Sequence, residues 1–118
     1  MQPPPFVSVV EVPEFVSRAE KLMSSAEKDS LILYLSMNPT AGVVMPGTGG
    51  VRKLRWALPG RGKRGGARVI YFFHNLHIPL FLISVFAKNR ETDVSQSEKN
   101  RLRGFTKHLI ATYGRRTI

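Results

Sequence analysis

Nineteen residues from Val69 to Ala87, VIYFFHNLHIPLFLISVFA, make an almost unbroken apolar run that any fold of this chain has to bury. The length is close to that of a membrane-spanning helix. His74, Asn75, His77 and Pro79 interrupt its centre, however, and aromatic and β-branched residues crowd both flanks. Two buried strands, about Ala67 to Phe73 and about Pro79 to Ala87, joined by a turn, suit that pattern better than one lipid-embedded helix. With 118 residues in all, the strands are expected to sit in one domain spanning 1–118, with a single core.

The flanking sequence supplies the rest of the layers. Phe6 to Val10 is a short β-branched run that predicts a first strand. Pro13 suits the first turn of a helix, where its missing N–H costs nothing, and Phe15, Ala19, Leu22 and Met23 recur at helical spacing. Ser24 with Glu27 three residues later forms a capping-box pattern, predicting a second helix that carries Leu31, Ile32, Leu35 and Met37 and stops at Asn38-Pro39. Gly42 to Gly50 is small, flexible and uncharged, so it reads as a loop. Beyond it, Val51 to Ala57 predicts a strand whose period of two puts Lys53 and Arg55 on one face and Leu54 and Trp56 on the other. A last helix is expected after Ser95, capped with Glu98, with Leu102, Phe105, Leu109, Ile110 and Tyr113 as its apolar stripe. The fold class that results is α+β: an antiparallel meander with two N-terminal helices and one C-terminal helix, the helices covering one side.

Between the first two meander strands lies Gly60-Arg61-Gly62-Lys63-Arg64-Gly65, which matches the G-x-G-x-x-G pattern of a dinucleotide-binding turn. That turn must open a helix, because the helix N-terminus holds the pyrophosphate. Here ARVIYFF follows, a strand, and no acidic residue stands about 20 positions on to hold a ribose. Pro59 to Gly66 is therefore expected to be a long hairpin loop in which glycine frees the backbone and Arg61, Lys63 and Arg64 project into solvent.

Charge distribution gives that loop its meaning. The net charge is +10, and no acid occurs from Ser30 to Arg90. Arg52, Lys53, Arg55, Arg61, Lys63, Arg64 and Arg68 all fall in this interval, and Lys88 and Arg90 end it. A meander with only positive charge repels itself unless an anion neutralises it, and nucleic acid is the commonest such partner. Binding of that kind releases counterions and is strongly dependent on salt. The chain has no cysteine, which excludes disulfides and thiolate chemistry, and its first residues lack the features of a signal peptide. A cytoplasmic location and no membrane partner are expected.

Three blocks in order, GTGGVRKLR, then GRGKRGGARVIY, then KNRETD, resemble the HigB branch of the RelE/ParE toxins of bacterial toxin–antitoxin modules. The likeness extends over nearly the whole chain. It implies a compact RelE-like fold and a cytoplasmic toxin that cleaves mRNA during translation on the ribosome, needing neither metal nor other cofactor. It further implies a cognate helix-turn-helix antitoxin that silences the toxin, with DNA met only indirectly, through that antitoxin. Carried onto this sequence, the basic catalytic positions of RelE-type toxins fall on Lys53, Arg55, Arg68 and Lys88. Asn89 stands where RelE has an arginine, as in the HigB branch, and Ser95 lies near the place of its catalytic tyrosine. Arg52, Arg61, Lys63, Arg64, Asn89 and Arg90 are then expected to contact RNA or ribosome.

Metal-free RNA cleavage proceeds by attack of a 2′-hydroxyl on the adjacent phosphate. The site must take one proton, stabilise the added charge and protonate the leaving 5′-oxygen. Arg55 and Arg68 suit charge stabilisation, since guanidinium stays protonated and grips phosphate with paired donors. Crowding by like charges favours proton exchange at Lys53 or Lys88, and the sequence leaves open which is acid and which is base. His74 and His77 fall in a turn away from the basic strand ends, and His108 reads as a surface residue of the last helix. Trp56 and Tyr71 could stack bases but read more naturally as core. Two rivals stay open: a ParE-like gyrase poison of the same fold, and a non-catalytic basic RNA-binding module.

Overall fold

A computed structural model describes residues 6–58, 66–87 and 94–114. Its elements run β1 (Val9–Glu11), α1 (Pro13–Leu22), α2 (Ser25–Met37), β2 (Val43–Val44), β3 (Val51–Trp56), β4 (Ala67–Phe72), β5 (Leu80–Ala87) and α3 (Gln96–Gly114). The apolar run thus divides into β4 and β5 around the turn that His74 to Pro79 provides. No helix among the described residues is long and apolar enough to cross a membrane.

The sheet is five-stranded in the order β1-β5-β4-β3-β2. Strands β3 to β5 form the expected antiparallel meander, but β1 lies parallel to β5, with Val9 opposite Leu80 and Glu11 opposite Leu82. The first strand also starts later than its β-branched run suggests. Val7 is buried, and its N–H donates to the Ser36 carbonyl at 3.1 Å rather than to a strand. At the other edge, Val43 and Val44 pair with Lys53 and Arg52, so part of the expected Gly42–Gly50 loop is an edge strand.

Helices cover both faces, which corrects the expectation of one covered side. Phe15 and Ala19 of α1 and Leu31 and Leu35 of α2 pack on Val69, Tyr71, Leu82 and Val85. Leu102 and Leu109 of α3 pack on the opposite face, against Val51, Ile70, Phe72 and Phe81. Both central strands are buried at nearly every position, as a sheet buried on two sides requires.

Local chemistry fixes the helix ends. Ser24 and Glu27 make both bonds of the capping box, Glu27 N–H to Ser24 Oγ at 3.0 Å and Ser24 N–H to Glu27 Oε1 at 2.8 Å. The Ser95 hydroxyl accepts from the Glu98 N–H at 3.1 Å at the start of α3. The Gly47-Thr48-Gly49-Gly50 turn holds the middle of that helix. Thr48 is fully buried; its hydroxyl donates to the Met45 carbonyl at 2.7 Å and accepts from the Val51 N–H at 3.0 Å, and its carbonyl accepts from Thr106 Oγ1 at 3.1 Å. Gly49 has φ +78°, and a Cβ there would run into Thr106 Oγ1, so the close approach of turn and helix requires glycine.

Candidate active site

Alternation along β3 puts Lys53 and Arg55 on the face that α3 packs against, and strand pairing adds Arg68. Arg55 faces Arg68 across β3 and β4, and Arg68 faces Phe86 across β4 and β5. One row further in, Lys53 faces Ile70, which faces Ser84. Ile70 and Phe86, the neighbours of Lys53 and Arg68 in these rows, belong to or pack against the cluster that α3 covers, so the basic rows border that core. Directly opposed side chains have Cβ atoms about 5 Å apart, close enough for two guanidinium groups to meet on one phosphate.

Arg55 is exposed, whereas Lys53 and Arg68 are half-buried. The Arg68 Nε is shut away from solvent and has no hydrogen-bond partner among the described residues. Among the described residues the ion pairs are Arg18–Glu14, Lys28–Glu11, Arg101–Glu14 and Arg101–Glu98, and none of them involves these three cations. Cations that are clustered, partly desolvated and unpaired form a ready anion site: the acceptor they lack is one that a phosphodiester supplies.

Arg52, expected beside them, is turned to the other face by the same alternation. Its Nη1 donates to the carbonyls of Thr40 at 3.2 Å and Gly42 at 2.8 Å, tying the segment after α2 onto β3. That engagement separates it from the basic cluster and gives it a structural task. Arg61, Lys63, Arg64, Lys88, Asn89 and Arg90 lie outside the described residues. The strand after the glycine-rich motif is β4, so no helix opens where a dinucleotide turn would need one.

Two aromatic residues are accounted for by packing. Tyr71 is fully buried; its hydroxyl accepts from the Gly42 N–H at 2.8 Å and donates to the Pro39 carbonyl at 2.9 Å. Burial raises its pKa above the usual phenol value, with the Gly42 N–H opposing the rise. Trp56 is half-buried against the α1–α2 core, with its ring centroid 5.3 Å from that of Tyr34. His74 and His77 are exposed on the β4–β5 turn at the far end of the sheet, and His108 is exposed on α3. Among the described residues no three of His, Asp and Glu gather in a way that could hold a metal ion.

The structure adds a feature that the sequence does not signal. Beside the basic rows a cleft of about 430 Å³ opens between α1, β5 and the start of α3. Ile70, Ser84 and Phe86 line it from the sheet, Glu14 and Arg18 from α1, and Ser95, Glu98 and Arg101 from the other side. A bulge between β4 and β5 shapes it: Ile70 pairs with Ser84 while Tyr71 pairs with Leu82, so Ile83 is an extra residue, and both Ile83 and Ser84 line the cleft. Glu14 lies between Arg18 at 3.6 Å and Arg101 at 4.0 Å, and Arg101 also pairs closely with Glu98, which raises its pKa further. These residues come from separate elements and share no motif.

Residues 45–116, well over half of the chain, match the family model described as the RelE toxin of the RelE / RelB toxin-antitoxin system. The match takes in the turn that anchors α3, the β3–β4–β5 meander with its three basic residues, and α3 itself. The chain belongs to the RelE toxin family and is a toxin of a toxin–antitoxin system.

Proposed function

We propose that the protein is an mRNA endonuclease that acts on translating ribosomes without a metal ion, and that its site is built on Lys53, Arg55, Arg68 and Lys88. The observation that carries this reading is the convergence of Lys53, Arg55 and Arg68 on one sheet face, with no acid paired to any of them among the described residues. Arg55 and Arg68 hold the scissile phosphate and offset the charge that develops as the 2′-hydroxyl attacks. Lys53 and Lys88 exchange the two protons, one removed from the 2′-hydroxyl and one given to the leaving 5′-oxygen. Arg61, Lys63, Arg64, Asn89 and Arg90 supply further contacts to mRNA or ribosomal RNA, largely to phosphates. The Lys88-Asn89 pair favours the HigB branch of the family. The chain works in the cytoplasm and is silenced by a cognate antitoxin that carries a helix-turn-helix domain.

Induction in cells, with protein and DNA synthesis followed side by side, tests this reading. Protein synthesis is expected to stop first, with mRNA cut only when ribosomes translate it. Early arrest of replication with intact mRNA would instead identify a gyrase poison on the same fold. Salt-sensitive RNA binding without growth arrest would identify a non-catalytic binder.

A further inference from the structure

We propose that the cleft between α1, β5 and the start of α3 receives a nucleobase of the bound RNA and discriminates against uracil. This rests on the reading of the neighbouring basic rows as a phosphate site. Phe86 sits in both features: it is the cross-strand neighbour of Arg68 and it lines the cleft. One to two strand spacings, about 5 to 10 Å, thus separate the phosphate-binding arginines from the cleft wall. A strand held at Arg55 and Arg68 therefore has its adjacent base within reach of the cleft.

The cleft wall has the chemistry of a base site. Ile70, Ile83 and Phe86 provide an apolar and aromatic surface for the flat face of a base. Ser84 is 92% buried and lies on the cleft wall, and a serine hydroxyl can both donate to and accept from a ligand there. The bulge at Ile83 is what brings it there, and bulges commonly re-aim a side chain next to a functional site. A base edge in the cleft offers that hydroxyl a hydrogen-bond partner.

Glu14 sets the selectivity. Its carboxylate is loosely held by Arg18 and Arg101, at 3.6 and 4.0 Å, so lone pairs are left for a ligand. A carboxylate only accepts hydrogen bonds. It therefore suits the exocyclic amines of adenine, cytosine and guanine, whereas uracil carries a carbonyl in place of that amine and offers only its ring N–H between two repelling carbonyls. Acid in a chain of net charge +10 weakens its hold on RNA overall, and the return is discrimination between bases.

Binding of the intact protein to short RNA strands of A, C or U, blocked at the 2′-hydroxyl so that cleavage cannot occur, tests the proposal. The expected result is about fivefold or stronger preference for A and C over U, the size of one well-made base contact. Glu14→Gln, whose amide both donates and accepts, is expected to remove the preference while keeping the affinity for U. Ser84→Ala is expected to weaken A and C several-fold in a protein of unchanged melting temperature. Equal binding of A, C and U by the unaltered protein, or a preference that survives Glu14→Gln, would overturn the proposal and leave the cleft an ion-pair network only. Cleavage of translated mRNA, measured in parallel, is independent of this outcome. Cleavage without base preference sinks the cleft alone, and base preference without cleavage sinks the nuclease reading alone.

Discussion

Arg55 and Arg68 stand directly opposite each other on β3 and β4. Like charges in that relation destabilise a sheet, by a few tenths to about 1 kcal/mol, and the unpartnered Nε of Arg68 adds to the cost. A pair that weakens the fold is accounted for when its ligand is an anion. Arg68→Leu is expected to raise the melting temperature by a few degrees at low salt and to abolish growth arrest. Thermal denaturation beside an induction assay checks both halves, and a lower melting temperature would mean that Arg68 is a structural residue.

Phosphate binding by this cluster carries a salt signature. For single-stranded RNA, log K falls with log salt by about 0.7 for each phosphate neutralised. Lys53→Ala is expected to reduce that slope by about 0.7 and to weaken strands of all sequences alike. Arg52→Ala is expected to leave the slope unchanged, because its guanidinium is already engaged with Thr40 and Gly42 on the opposite face. Titrations at several salt concentrations measure both slopes.

The different fates of neighbouring Arg52 and Lys53 show what the sequence reveals and what it hides. Period two along β3 was enough to put Lys53 with Arg55 and away from Leu54 and Trp56, and it separates Arg52 as well. What local pattern does not carry is the partner: that Arg55 meets Arg68, or that β1 runs parallel to β5, depends on register between distant segments. Val43 and Val44 become a strand because β3 offers them a free edge, and two residues alone give no periodicity. Burial on both faces did have a signal, since β4 and β5 are apolar almost throughout rather than alternating. The capping box at Ser24 and Glu27 was legible because it lies within four consecutive residues. The cleft was not, because Glu14, Ser84 and Arg101 meet only after α1, β5 and α3 have packed.

The anchoring of α3 on the GTGG turn is expected to be sensitive to single atoms. Thr106→Val removes the donor to the Thr48 carbonyl at a fully buried position and should cost about 1 to 3 kcal/mol. Gly49→Ala combines a positive φ with a clash against Thr106 Oγ1 and should cost at least as much. Urea denaturation measures both.

Tyr71 ties the fold to alkaline pH. Its folded pKa is raised above 10.0 by burial, so the folded state holds the phenol proton more tightly than the unfolded state. The stability this provides is fully present below the unfolded value and is lost as pH rises through the folded one. Melting temperature is therefore expected to fall as the pH rises above about 10. Tyr71→Phe removes this Tyr71-linked part of the fall. It also costs about 1 to 3 kcal/mol at neutral pH, because the buried Gly42 N–H loses its acceptor.

Joint replacement of Lys53, Arg68 and Lys88 by alanine is the most direct test of a phosphate-gripping active site. The triple variant, shown to be folded by its thermal transition, is expected to cause no growth arrest and to leave translated mRNA uncut. A folded triple variant that still arrests growth and still cuts mRNA would contradict the assignment.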